Sequence, residues 1–120
     1  MTEMKFRPGW YENDPDPPVT IQDVEKAYVE ARKVYDPSYS HPGWGDLAKT
    51  KARLLIDAVT MGAHDNGIEL SATAITRNCV SRWDEFREFV RRHDRRIAFG
   101  QEPSIGALLK AFEHAVRFSI

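Results

Sequence analysis

The chain has 120 residues, 42% of them apolar and 29% charged, with a formal net charge of −1. That length suits one domain with a sizeable core, and the near-balanced charge excludes a global basic field that would draw the whole chain to nucleic acid or anionic lipid. One cysteine, Cys79, excludes an internal disulfide, and no apolar run reaches the length of a membrane-spanning helix.

Residues 1–19, MTEMKFRPGWYENDPDPPV, carry Pro8, Pro15, Pro17 and Pro18. Proline removes an amide donor and disfavours helix at the residue before it, so this stretch reads as an extended arm ahead of a single helical domain over 20–120. The arm lacks the apolar segment of a secretory leader, and the expected compartment is the cytoplasm. Phe6, Trp10 and Tyr11 are unusual in a tail without structure. They point to an arm that lies against its own domain or a partner.

A first helix is expected over 21–36. Thr20 stands at its cap with Asp23 where a capping box needs an acid. Val24, Ala27, Tyr28, Ala31, Val34 and Tyr35 recur at helical spacing, and Pro37 stops the run. The loop DPSYSHPGWG follows. Asp46 is the expected cap of a second helix over 47–65. Leu47, Ala48, Ala52, Leu55, Ala58, Val59 and Gly62 mark its buried side, widened by Leu54 and Met61. Asn66-Gly67 ends it, since both residues tolerate a left-handed conformation.

Ser71 caps the third helix. Ala72, Ile75, Cys79, Trp83, Phe86, Val90 and Ile97 fall on one side of a wheel, which predicts one long helix over 72–97. Ser104 caps a fourth over 104–118, striped by Ile105, Leu108, Leu109, Phe112, Ala115 and Val116. No stretch alternates like a strand. The expected fold is all-α, four helices in a bundle-like packing behind a proline-rich arm.

Several groups bear on function. Tyr35, Tyr39, His41 and Trp44 gather with Trp10 and Tyr11 around two proline-rich stretches. Such aromatics serve either as binding hot spots or as a cover for the open end of the bundle. Seven arginines lie between 77 and 96, but Asp84 and Glu88 share the outward face of Arg77, Arg91 and Arg95, and Asp84–Arg87, Glu88–Arg91 and Glu88–Arg92 stand at ion-pair spacings, which predicts a solvated, salt-bridged surface. Its end, RRHDRR, is the most basic patch. Cys79 sits on the apolar stripe and reads as a buried thiol.

The second helix, its turn and the third helix also follow the order of a helix-turn-helix. Thr73, Arg77, Asn78 and Ser81 then stand where a reading helix meets bases. Against this stand the helix lengths and the absence of net positive charge. On paper His41, His64, Asp65 and Asp94 supply the His and His-Asp ligands that a helical metal phosphohydrolase combines. However, both His-Asp pairs, His64-Asp65 and His93-Asp94, lie near helix ends, where the dipole already favours histidine.

The leading expectation is a small, non-catalytic, cytoplasmic protein that binds another protein, or serves as a subunit or regulator of an assembly, with no cofactor and no metal. Its expected contacts are Trp10, Tyr11, Tyr39, Trp44, Arg91, Arg92, Arg95 and Arg96. The acidic arm residues Glu12, Asp14 and Asp16 and the basic end also suit self-association. A DNA-binding regulator ranks second, and the metal phosphohydrolase is a distant third.

Overall fold

The computed structural model describes residues 19–66 and 70–120, and their side chains apart from those of 62–66. Residues 1–18, with Trp10 and Tyr11, and the Gly67 turn lie outside this description. The fold is all-helical, with no strand among the described residues. Among them no helix is long and apolar enough to cross a membrane.

There are six helices where four were expected. They are α1 (Ile21–Tyr35), α2 (Asp46–Asn66), α3 (Ala72–Ser81), α4 (Trp83–His93), α5 (Ile105–Lys110) and α6 (Phe112–Ser119). Three of the four expected starts hold. Thr20 and Asp23 close a reciprocal capping box, with the Thr20 N–H donating to Asp23 at 2.9 Å and the Asp23 N–H donating to the Thr20 hydroxyl at 3.1 Å. Ser71 accepts from the Ala74 N–H at 3.1 Å and Ser104 from the Ala107 N–H at 3.2 Å. Asp46 is instead the first helical residue, and the Gly45 carbonyl accepts the opening bond from Lys49 at 3.1 Å.

The expected helix over 72–97 is two helices. It bends at Arg82 (φ −119°, ψ 44°) and ends at His93, beyond which Asp94 is extended. The Ser81 hydroxyl donates to the Arg77 carbonyl at 2.6 Å, competing with the helix ladder one residue before the bend. The expected helix over 104–118 bends likewise at Ala111 (φ −111°, ψ 40°), where no side chain competes. Packing accounts for that bend: α5 lies against α2, whereas α6 lies against α3 and α4.

The most extensive packing is α1 along α3. Val24, Tyr28 and Ala31 of α1 meet a core that includes Ile75, Cys79, Val80, Trp83, Phe86 and Val90, and Ala27 of the same helix is fully buried. Helix α2 contributes Ala52, Leu55 and Val59, and α5 contributes Ile105, Ala107 and Leu108. Thr76 is fully buried as well, its hydroxyl satisfied by the Ala72 carbonyl at 2.7 Å.

Four apolar residues expected inside are outside. Val34 is exposed near the end of α1, and Leu47, Leu54 and Met61 are exposed along α2. The reason on α2 is geometric. At about 100° per residue, Ala48, Ala52, Leu55, Ile56 and Val59 form one face, which packs on α1 and α5. Leu47, Leu54 and Met61 form a second, narrower line on the other side. Lys51 marks one edge of that line, lying over Gly106 of α5: a Cβ on Gly106 would stand 2.9 Å from its ammonium nitrogen.

Candidate functional site

Helix α1 presents Glu25, Tyr28 and Arg32 on one face, since they stand three and four residues apart. The loop after α1 turns back over that face. Asp36 opens it by accepting from the Ser38 N–H at 3.0 Å and the Ser38 hydroxyl at 2.7 Å. Gly43, with φ +89°, takes the left-handed turn that brings both His41 and Trp44 onto α1.

Glu25 is the anchor of this loop. Its carboxylate pairs with His41 Nε2 at 2.7 Å and accepts from the Trp44 N–H at 3.2 Å. His41 Nδ1 in turn meets the Tyr39 hydroxyl at 2.7 Å. One neutral tautomer satisfies the chain, with Nε2–H donating to Glu25 and Nδ1 accepting from Tyr39. The hydrogen bond from His41 holds the Glu25 carboxyl below its ordinary value; partial burial opposes this and the Trp44 N–H adds to it. Burial is the main cause that raises the Tyr39 phenol.

Arg32 closes the cluster. Its guanidinium carbon lies 4.0 Å from the centroid of the Tyr39 ring. One of its nitrogens donates to the Tyr28 hydroxyl at 2.8 Å and to the Pro103 carbonyl at 3.3 Å. The Tyr28 hydroxyl itself donates to Pro103 at 2.8 Å. The ring of Trp44 packs 5.3 Å from that of Tyr28. The loop aromatics thus tie α1 to its own loop and to the segment before α5. Tyr39 and Trp44 are half-buried in this contact.

The Glu25 anchor has a pH signature. A carboxyl whose pKa falls on folding stabilises the fold fully above the ordinary range, about 4.3. That contribution is lost as pH falls through the lowered folded value. Glu25→Gln is expected to lower stability by about 1–2 kcal/mol near neutral pH, because a charge-assisted bond is lost at a site mostly screened from water. The gap to wild type should close as pH drops below about 4 in urea melts. A gap that is flat with pH would contradict the anchor.

The other expected contacts divide. At the end of α4, Arg91 is held by Glu88 through bonds of 2.9 and 2.6 Å. Arg96 is held by Asp94 at 3.1 Å. Arg92 and Arg95 are exposed. The expected Glu88–Arg91 pair forms, while Asp84 accepts from the Tyr35 hydroxyl at 2.9 Å. The rings of Phe89, His93 and His114 cluster beside this end, tilted to one another.

At the start of α3, the Thr73 hydroxyl meets the Ser71 cap at 2.7 Å and Ser81 bonds back to Arg77. Arg77 pairs with Glu30 of α1 at 3.3 Å, and Asn78 is half-buried. This helix packs mainly on α1 rather than on α2, so the two helices expected to form a helix-turn-helix are not each other's main neighbours. Of the four metal-ligand candidates, His41 is engaged by Glu25 and Tyr39, and Asp94 holds Arg96. The side chains of His64 and Asp65 lie outside the described set. Among the described residues no three His, Cys, Asp or Glu side chains form a group able to hold a metal ion. Cys79 is buried, and burial pushes its thiol up to about 12.

The feature that the sequence reading placed wrongly is the outer line of α2. Leu47 is 69% exposed, Leu54 48% and Met61 70%. They recur every seven residues, with exposed Thr50 and half-buried Ala58 between them. The signal was present: α2 carries two apolar series, and a helix apolar on two faces needs two partners. Val34 and Ile120 are the other large exposed apolar residues described, and neither belongs to such a series. No protein family, curated protein or solved structure matches this chain.

Proposed function

We propose that this chain is a non-catalytic interaction module, a cytoplasmic subunit or regulator of a larger assembly, and that the outer face of α2 is its principal contact. The observation that carries this is the exposed Leu47–Leu54–Met61 line. Large exposed apolar side chains that recur along one line of a helix suit a surface that another molecule covers. Anchor residues at such spacing are how a helix docks in a groove or on another helix.

The aromatic cluster supports this reading indirectly. With Tyr39 and Trp44 folded onto α1, the loop fixes the scaffold and leaves apolar contact to α2. The exposed Arg92 and Arg95, at and just beyond the end of α4, offer an acidic partner a further charged contact. The buried free thiol of Cys79 agrees with a reducing compartment.

The test is retention. Immobilised wild-type chain should retain a partner from the native cell that the Leu54→Glu chain loses by about tenfold or more, the two having equal helix content by circular dichroism. Equal retention by both chains would sink the role of this face.

A further inference from the structure

The exposed row on α2 has a shape and a charge pattern that suit one occupant. We infer that it is a second copy of this chain, whose α2 lies antiparallel on the first across a two-fold axis. This inference rests on the interaction reading above and names its partner.

A row that repeats every seven residues follows a partner helix crossing at a shallow angle. At a rise of about 1.5 Å per residue, Leu47 and Met61 stand about 21 Å apart with Leu54 midway. The row therefore reads nearly the same in both directions, large–large–large. Reversing a second copy sets Leu54 beside Leu54, and each Leu47 beside the Met61 of the other copy. Self-complementarity of this kind is what a two-fold contact requires.

The rim decides the register. Arg53 and Asp57 are both exposed and stand four residues apart on the side of α2 that faces the α1 groove, where both line the cleft with Ile21 and Glu25. In an antiparallel pair related by a two-fold, the same flank of each helix meets its equivalent. With the axis near residue 55, Arg53 of each copy faces Asp57 of the other, and this happens twice. That axis leaves each of the apolar pairs offset by only about 3 Å along the helix. Thr50 and Ala58, between the large residues, are short enough to let the helices approach. On the far edge Lys51 leans over Gly106 of α5 and clears the seam.

The test is sedimentation velocity on the full chain. Wild type is expected to run at twice 13.8 kDa. Leu54→Glu should run as a monomer of unchanged helix content. Arg53→Asp and Asp57→Arg should each weaken self-association by about tenfold or more. Mixed in equal amounts, the two charge variants should associate again, because the mixed pair restores both opposite-charge contacts. The inference is overturned if the wild type stays monomeric at every concentration, if it becomes dimeric only without residues 1–18, or if the mixture associates no better than either variant alone. A monomeric wild type that retains a different protein, lost on Leu54→Glu, overturns the second copy and leaves the interaction reading standing. A dimer indifferent to Leu54→Glu overturns both.

Discussion

Replacing Trp83 with alanine is expected to lower the free energy of unfolding by about 3–5 kcal/mol, the largest effect of any single change in the core. Trp83 is fully buried at the first position of α4, directly after the bend. Its ring packs 5.6 Å from Phe86 and 5.3 Å from Phe99, and Phe99 stacks 5.8 Å from Phe86. Its indole N–H reaches the Gly100 carbonyl at 3.4 Å. Alanine would leave a cavity that two rings and a bent helix cannot close. A domain of this size is stable by only about 5–15 kcal/mol, so the variant should be close to unfolding. Urea titration by circular dichroism should show a large fall in midpoint with little change in slope. Trp83→Phe keeps a ring in the stack and should lose less than half as much. A loss under about 1 kcal/mol for Trp83→Ala would mean that the core is not centred here.

Arg32→Ala is the second large loss expected, about 2–4 kcal/mol. Arg32 is 8% exposed, an unusual place for a guanidinium. Alanine removes the plane over Tyr39, the bond to the Tyr28 hydroxyl and the tie to Pro103 together. The Glu102 carboxylate, 3.5 Å away and mostly in water, adds little. The Nε of Arg32 is buried without a partner among the described residues, so its burial is not fully compensated. For that reason Arg32→Met, which fills much of the same buried volume and removes the charge, should lose about 1 kcal/mol or less. Arg32→Lys should fall between the two, since an ammonium cannot lie flat on the ring and bond sideways at once. Thermal melts of the three variants read this order directly. A Met variant as unstable as the Ala variant would show that the charge itself holds the loop.

These two sites differ in how far the sequence announces them. The stripe Ala72–Ile75–Cys79–Trp83–Phe86–Val90 is plain from spacing alone, and all six residues are buried. The bend at Arg82 is invisible to that spacing, because Cys79 and Trp83 stay four residues apart across it. Ser81 gives a faint local warning. Ala111 gives none, because its bend comes from α5 and α6 meeting different neighbours. Capping was legible at Thr20, Ser71 and Ser104, where one side chain and one nearby amide decide the outcome.

The Arg32 cluster was half legible. Tyr39, His41 and Trp44 stood out by composition. Glu25 and Arg32, which hold them, look like ordinary surface charges of an amphipathic helix. Only the return of the loop makes them partners. On α2 the error had the opposite sense. Leu47, Leu54 and Met61 are as apolar as a core residue, and apolarity alone does not say whether the covering surface comes from the same molecule.

Protection of the α2 row is the most direct measurement. Hydroxyl-radical footprinting of the protein in its native assembly compares Leu47, Leu54 and Met61 with Val34 and Ile120, which are 70% and 78% exposed and lie off the row. Val34 and Ile120 are expected to stay reactive while the three α2 residues are shielded relative to the dilute, isolated chain. Labelling of the α2 residues as fast in the assembly as in the isolated chain would contradict the assignment of this face as the contact surface.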